Sequence, residues 1–585
     1  MSTTPVTLEI SGDRFLVHDP TPAEIFTRED LSSAQKMLGQ SAAEFMRTEV
    51  LPREQEIYAK DWALTRSLLL KAGELDLLRV DIPEAYGGLN LDKVSSAYLG
   101  EQIGIMPSFA GSLGAHTTIG TLPLVYFGTE DQKERYLARL ASGEWVAAFA
   151  LTEPGSGSDA LAARANATLA ADGRHYILNG QKMWITNGGF ADLFTIFAQV
   201  DGQKFTAFLV ERSMGVVSGR EEPKLGLDGS STTALILENV RVPIDNVLGN
   251  VGEGHKVAFN VLNLGRLKLG TRNLAAAKQA LSRAVQYSVE RQQFGRAIAE
   301  FGLIKQKLGE MAVRCFVGDA MVYRTLGAVD RALEQVAETD PLGILKTIES
   351  FAVECSINKV WTSEALAFVV DEALQVYGGY GYSKEFPAER AYRDARITRI
   401  YEGTNEINRL IIPTRLLKNP ATAALFADER IAATLTGTTS VNSSYPVPEL
   451  AAARQLLERA KRLITFTLGS AQATYGKNLA EEQEILAHIT DIVIDTYALE
   501  SAILRTEKLL SARRTQDLAL AIDITNVFAT DAADRLASHA SRVAFALPAS
   551  GKPAAIPPVP SLPLNTVAAR RRIAAAIVSA GRYHL

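Results

Sequence analysis

The chain has 585 residues, enough for roughly two to four domains of ~150 residues each. Hydrophobic residues make up 47% and charged residues 22%, which excludes bulk disorder and collagen-like or coiled-coil architectures. Lys and Arg number 61 against 66 Asp and Glu, a formal net charge of −5, so dedicated nucleic-acid binding has little electrostatic support.

Two cysteines, Cys315 and Cys355, cannot make a disulfide scaffold or a four-cysteine zinc site. The seven histidines are scattered, without HxxxH or HExxH spacing, so no metal site is expected. No apolar run reaches the ~18 residues of a spanning helix. The first residues, MSTTPVTLEISGDRF, lack the basic and apolar regions of a signal peptide. The expectation is a cytoplasmic protein of bacterial type.

In chain order, residues 23–142 read as helical with loop breaks. Leu31, Ala34, Leu38, Ala42, Phe45 and Met46 follow helical spacing. Gly-rich stretches at 84–88 and 108–114 read as loops. Near Glu144 the pattern changes. Residues 144–151 are strand-like, and Asn179-Gly180 stands between two β-rich runs, the clearest hairpin signal in the sequence. Asp201-Gly202 repeats the device, and residues 232–243 add a strand. Helix returns after Gly254 and continues to about Arg415. A Ser/Thr/Pro-rich linker (436–448) precedes amphipathic helices at 449–468 and 481–510, and a Pro-rich stretch (548–563) precedes a short final helix. The expected fold is mostly α with a middle β-barrel-like domain. Its divisions are 1–144 helical, 145–252 β, 253–418 a helical bundle, 419–448 linker and 449–585 an extra helical domain.

Five motifs carry chemistry. LTEPGSGSDA (151–160) superficially matches a dinucleotide fingerprint, but a Rossmann turn must open a long helix. Here another β-run follows, and Pro154 sits inside the turn. Its backbone N–H groups and hydroxyls (Thr152, Ser156, Ser158) can hold a polar cofactor edge; alone it reads equally as a plain loop. In KMWITNGG (182–189), Trp184 can wall an aromatic ring and Thr186 can hydrogen-bond it, though an isolated Trp here reads as core. In ERQQFGRAI (290–298), Arg291 is a phosphate-clamp candidate or a surface charge. In LQVYGGYGY (374–382), glycines allow close approach to a ligand or merely end a helix. In RIYEGTNEINRL (399–410), Glu402 is a general-base candidate if an apolar pocket raises its pKa, or an exposed ion-pair member beside Arg399.

Their order and spacing resemble the acyl-CoA dehydrogenase family over about residues 25–415. The added C-terminal helices and LGAHTTIGTLPLVYFGTEDQKERYL (113–137) look most like its very-long-chain subgroup. The resemblance implies a helical domain, a β-domain and a four-helix bundle, with noncovalent FAD. By motif position, Phe149, Leu151, Thr152, Gly157, Ser158, Trp184, Ile185 and Thr186 would line the flavin ring. Arg291, Phe294, Gln375, Val376, Gly378 and Gly379 would reach the flavin of a neighbouring subunit. Thr404 and Glu406 would close the site. Ser158, Arg266, Tyr401, Glu402 and Gly403 would contact the CoA thioester.

The implied reaction is α,β-dehydrogenation of a long-chain fatty acyl-CoA to a trans-2-enoyl-CoA. Glu402 would take the α-proton, and the β-hydride would go to flavin N5. Some family members carry the base at a position that is Gly265 here, which cannot serve. Ala110, Gly111 and Gly114 would leave room for a long acyl channel, unless they are simply turn residues. Electron-transfer flavoprotein is the implied acceptor and a homodimer the implied assembly. The rivals are an acyl-CoA oxidase and an idle acyl-CoA-binding scaffold or assembly protein. Arg454, Arg459, Lys461 and Arg462 could touch a membrane surface, or pack the C-terminal helices on the rest of the chain.

Overall fold

The computed structural model describes residues 12, 14–337, 340–427, 429–431, 434, 445, 447–512, 515–547 and 556–585. Most of the 436–448 linker and the first part of the Pro-rich stretch lie outside them. The chain forms two compact units, Leu31–Ala276 with Val336–Glu349, and Met1–Asp30 with Ala277–Gln335 and Ser350–Leu585. Among the described residues no helix is long and apolar enough to cross a membrane.

The first unit opens with helices α1 (Ser33–Phe45), α2 (Trp62–Glu74), α3 (Lys93–Ile103), α4 (Pro107–Gly114), α5 (Leu122–Phe127) and α6 (Glu130–Ser142). Side-chain caps start several of them: Ser32 accepts from Gln35 N–H, Asp61 from Leu64 and Asp92 from Ser95, satisfying otherwise orphaned amides. Ala42, Phe45 and Met46 are buried as the spacing requires, whereas Ala34 is exposed. The expected loop at 108–114 is helix α4, continued by a π-helical turn, Ala115–Gly120. Pro107 is preset for a first helical turn, and Phe109, Ala110 and Leu113 gain burial that outweighs the helix cost of two glycines.

The sheet contains β1 (Ala147–Ala150), β2 (Asn166–Leu169), β3 (His175–Thr186), β4 (Leu193–Val200), β5 (Lys204–Glu211), β6 (Val217–Glu221), β7 (Thr232–Pro243) and β8 (Val247–Leu248). Their order is β6-β7-β3-β2-β4-β5-β8, with β1 parallel to β4. Asp201-Gly202 turns the β4–β5 hairpin, with φ of 54° and 73°. Asn179-Gly180 does not turn. Both residues lie inside β3, where the register with β7 shifts. Gly180 has φ 143°, and a Cβ there would stand 2.8 Å from Ala165 Cα, so the glycine serves a bulge and a close backbone approach. Asn179 Oδ1 accepts the Asn239 N–H at 2.8 Å.

Helix α7 (Gly254–Glu290) begins in the first unit and ends in the second. The second unit adds the short strands β9 (Gln292–Gln293) and β10 (Arg296–Ala297), then α8 (Gly302–Leu333), α9 (Ala352–Tyr377) and α10 (Asn405–Lys418). It ends with α11 (Ala451–Tyr475), α12 (Gln483–Ser511), α13 (Thr515–Ala546) and α14 (Thr566–Ala580). Charge pairs hold the C-terminal helices in place: Arg324 of α8 with Glu500 of α12 at 2.6 Å, Arg505 of α12 with Glu29 of the N-terminal segment at 2.6 Å, and Lys461 of α11 with the same Glu500 at 2.6 Å. Arg454 pairs with Glu507, and Arg459 donates to Pro558 O at 3.1 Å. These basic side chains are therefore engaged within the unit.

Candidate functional site

In the first unit, the loop after β1 and the bulged end of β3 come together. Glu153 is 6% exposed and Lys182 fully buried, their charges paired at 2.6 Å. The Glu153 carboxylate also accepts the N–H groups of Arg164 at 2.6 Å and Ala165 at 3.0 Å, while Lys182 Nζ donates to Leu151 O at 3.2 Å. Burial lowers the Lys182 pKa, opposed by Glu153. Met183 N–H donates to Thr152 O at 2.9 Å. The acid of one motif and the lysine of the other thus lock the two segments together. The sequence reading missed this pair, although both residues stood in the quoted motifs.

A register shift between Lys182 and Ile185 leaves Trp184 at φ 57° and 61% exposed. Ile185 points into the sheet core, and Phe149 packs edge-on against Phe197 at 5.0 Å. Those two support the site from behind, while Gly157 and Ser158 stand exposed and Leu151, Thr152 and Thr186 half-exposed. No long helix follows the 151–160 loop, only a single turn at Ala160–Ala162, which disposes of the Rossmann alternative. Arg266 on α7 is buried and donates to Asn263 Oδ1 at 2.9 Å.

The same unit holds a small, partly open cleft. Its apolar side includes Leu77, Val80, Leu99, Ile103, Ala110 and Leu113; Gly114 also lines it, but Gly111 does not.

In the second unit, Glu402 has φ 59° and Gly403 φ 80°. A non-glycine residue held in the left-handed region stores strain of about 1–3 kcal/mol. The strain is maintained from the α10 side. Thr404 accepts the Ile407 N–H at 3.2 Å as helix cap, and Asn408 Nδ2 donates to Gly403 O at 2.8 Å and Thr404 O at 2.9 Å. Asn405 is buried, accepting from Lys359 Nζ at 2.6 Å and donating to Glu364 at 3.0 Å. The Glu406 pKa is lowered, first by hydrogen bonding to its own backbone. Tyr401 is 38% exposed beside this loop.

The second unit also unites two motifs distant in sequence. Where α7 ends at Glu290, residues 291–298 form a hairpin in which Phe294 (φ 53°) and Gly295 (φ 77°) make the turn between β9 and β10. Two positive φ values mark a type I′ turn. Arg291 lies 5.5 Å from the Tyr380 ring centroid, and Tyr287 stacks on Tyr377 at 4.1 Å. Gly378 ends α9 with φ 59°. Gln375, Gly378 and Gly379 are exposed and Val376 buried. Phe294 is 92% exposed, a large apolar surface presented to solvent.

Outside the expected motifs, His488 Nδ1 and His539 Nδ1 lie 3.0 Å apart beside Asp491. Asp491 is already held by Arg409 at 2.9 Å, so the cluster is a satisfied polar network.

Four family models match the chain. These are the acyl-CoA dehydrogenase N-terminal domain over residues 32–144, the middle domain over 148–240, and two C-terminal domain models over 252–417 and 459–552. A probable acyl-CoA dehydrogenase of Bacillus subtilis is 44% identical over 92% of this chain and 91% of its own. The human mitochondrial very-long-chain specific acyl-CoA dehydrogenase is 37% identical over 75% of this chain and 69% of its own. The crystal structure of an acyl-CoA dehydrogenase complexed with FAD, from Bacillus anthracis, superposes with a TM-score of 0.93 at 41% identity, covering 98% of this chain and all of that one.

Proposed function

The chain belongs to the acyl-CoA dehydrogenase family, and from that premise we propose that it oxidises long-chain fatty acyl-CoA thioesters to trans-2-enoyl-CoA products, with Glu402 as the base. The observation that carries the assignment is the strained backbone of Glu402, held by Thr404 and Asn408. A carboxylate on a fixed loop is a positioned base; a mobile one is not.

The cofactor is FAD, and the residues present fit it. Trp184 offers an exposed flat indole, the 152–158 loop exposes backbone and hydroxyls beside it, and a Cβ at Gly157, Gly378 or Gly379 would meet nothing. Thr152, Ser158, Trp184 and Thr186 hold the ring, with Phe149, Leu151, Gly157 and Ile185 forming the support. Arg291, Phe294, Gln375, Val376, Gly378 and Gly379 meet the flavin of a second subunit, which gives the exposed Phe294 a use. Bound FAD supplies the acceptor for the two electrons and the β-hydrogen.

The chain's own residues do the rest. Glu402 removes the α-proton, and its backbone N–H donates to the thioester oxygen as negative charge builds there. By the family resemblance, Ser158, Arg266, Tyr401 and Gly403 contact the CoA thioester, and Thr404 and Glu406 the flavin. The acyl chain lies in the cleft lined by Leu99 and Ile103. Electron-transfer flavoprotein is the acceptor, and a homodimer is the working assembly.

Anaerobic titration tests this reading. The purified protein is expected to be yellow, and long-chain acyl-CoA is expected to bleach it. Glu402→Gln should keep the colour and lose the bleaching. A colourless protein, or a variant that bleaches at the wild-type rate, overturns the assignment.

A further inference from the structure

Small residues near the cleft suggest an open hydrocarbon channel, but the space above Gly114 is taken. A Cβ at Gly114 would sit 1.7 Å from Arg272 Nη1, so the guanidinium lies directly on the glycine. Arg272 lines the cleft and donates to the Ala110 carbonyl at 3.2 Å. Among the described residues no carboxylate forms an ion pair with it. Lys268 lines the same wall, and its ammonium is committed to Asp81, which is 5% exposed and also takes Lys93 at 3.0 Å and Ser96 Oγ at 2.6 Å. Lys268 and Lys93 therefore share the Asp81 carboxylate.

A plain hydrocarbon pressed on that wall strips water from the guanidinium and returns no hydrogen bond, which is costly. A carboxylate returns two parallel charge-assisted bonds to the planar fork. We propose that Arg272 anchors an anionic far end of the acyl chain, so that the preferred substrates are CoA monothioesters of dicarboxylic acids. This rests on the reading of the cleft as the acyl site. Glycine at 114 then keeps the guanidinium seated and leaves no empty channel.

The test is a paired ladder: CoA thioesters of plain fatty acids, and CoA monothioesters of the dicarboxylic acids of the same lengths, each scored by anaerobic flavin bleaching and by kcat/KM. At the length that reaches Arg272, the wild type is expected to favour the dicarboxylic member by ~10–100-fold, the discrimination of a charge-assisted hydrogen-bonded pair. Arg272→Met should move that ratio toward the plain chain by at least ~10-fold, mostly through KM. Gly114→Ala, which displaces the guanidinium without removing it, should move the ratio the same way by less, and covers the case in which the first variant does not fold. A wild type that prefers plain chains at every length, or a ratio that neither variant moves, overturns the anchor and leaves the dehydrogenase reading standing. If neither series bleaches the flavin, the dehydrogenase reading and the anchor fall together.

Discussion

Trp184 and Glu402 share a rare backbone state, with φ of 57° and 59°, and are held in it by different means. Trp184 sits on a bulge inside a twelve-residue strand, with Lys182 paired to Leu235 and Ile185 to Thr233 on either side. Its strain is spread over a ladder and backed by the Glu153–Lys182 pair. Glu402 sits in a short loop, and a few side chains of α10 carry the load. In the proposed function the flat cofactor needs a rigid wall, which sheet pairing supplies at Trp184, and the proposed base must be aimed at one carbon, which a loop fixed at few points allows but leaves easily disturbed.

Removing the Glu402 carboxylate should give the largest effect. Glu402→Gln is isosteric and leaves the left-handed turn in place, so flavin content and Tm should hold while the rate of flavin reduction falls ~10²–10⁴-fold. Stopped-flow absorbance on the anaerobic protein reads it. Equal losses of flavin and rate would mean that the loop, not the carboxylate, had been altered.

The wall should fail in the opposite sense. Lys182→Met leaves the Glu153 charge buried without its counter-ion, a change that costs about 3–5 kcal/mol in comparable sites. Urea unfolding should show that loss, with flavin released early. Adding Glu153→Gln should recover part of it, because the double variant buries no net charge. If Lys182→Met alone unfolds like the wild type, the two motifs are not joined through this pair.

A third effect separates the regions by pH. His116 is 1% exposed; Ala147 N–H donates to its Nδ1 at 3.0 Å, which leaves Nε2–H to donate to Leu140 O at 3.0 Å. Burial pushes its pKa down from 6.5 to about 4. The native state therefore binds fewer protons than the unfolded chain between those values. Stability should be flat above pH 7 and fall as pH drops from about 6.5 toward 4, by up to about 3 kcal/mol. Protonated Nδ1 cannot accept the Ala147 amide, which stands at the start of β1, so the sheet behind the proposed flavin wall should loosen first. Urea midpoints at pH 7.5 and 5 check this, and His116→Gln should flatten the slope.

What the sequence disclosed follows from how local each feature is. Residues 232–243 and the Asp201-Gly202 turn were legible because a strand and a two-strand hairpin announce themselves within a dozen residues. Asn179-Gly180 misled for a non-local reason: the glycine answers to Ala165, just before β2, and no pattern around residue 180 contains that neighbour. The 108–114 helix was hidden by its glycines, whose use is to admit other groups, Arg272 at Gly114 among them. The Phe294-Gly295 turn was overlooked because its strands are two residues long. The candidate site was legible as motifs in order, but the contacts joining them, Glu153 to Lys182 and Arg291 to Tyr380, appear only when the chain is folded.

The smallest effect tests the loop most sharply. Asn408 is fully buried and spends its Nδ2 on the two carbonyls that bracket the turn after Glu402. Asn408→Ala leaves Gly403 O without this donor, while Thr404 O keeps the backbone N–H of residue 408 at 3.0 Å, and should cost about 1–2 kcal/mol of stability. If the amide only supports α10, that is the whole effect. If it also aims the base, the rate of flavin reduction should fall a further ~10-fold with KM unchanged, since substrate still binds but the proton is no longer in line. The ratio of rate loss to stability loss therefore decides between support and aim. The same ratio measured for Lys182→Met should be small, because a wall that still stands still holds the ring. If the two ratios agree, the contrast between a wall built into a sheet and a base carried on a loop does not hold.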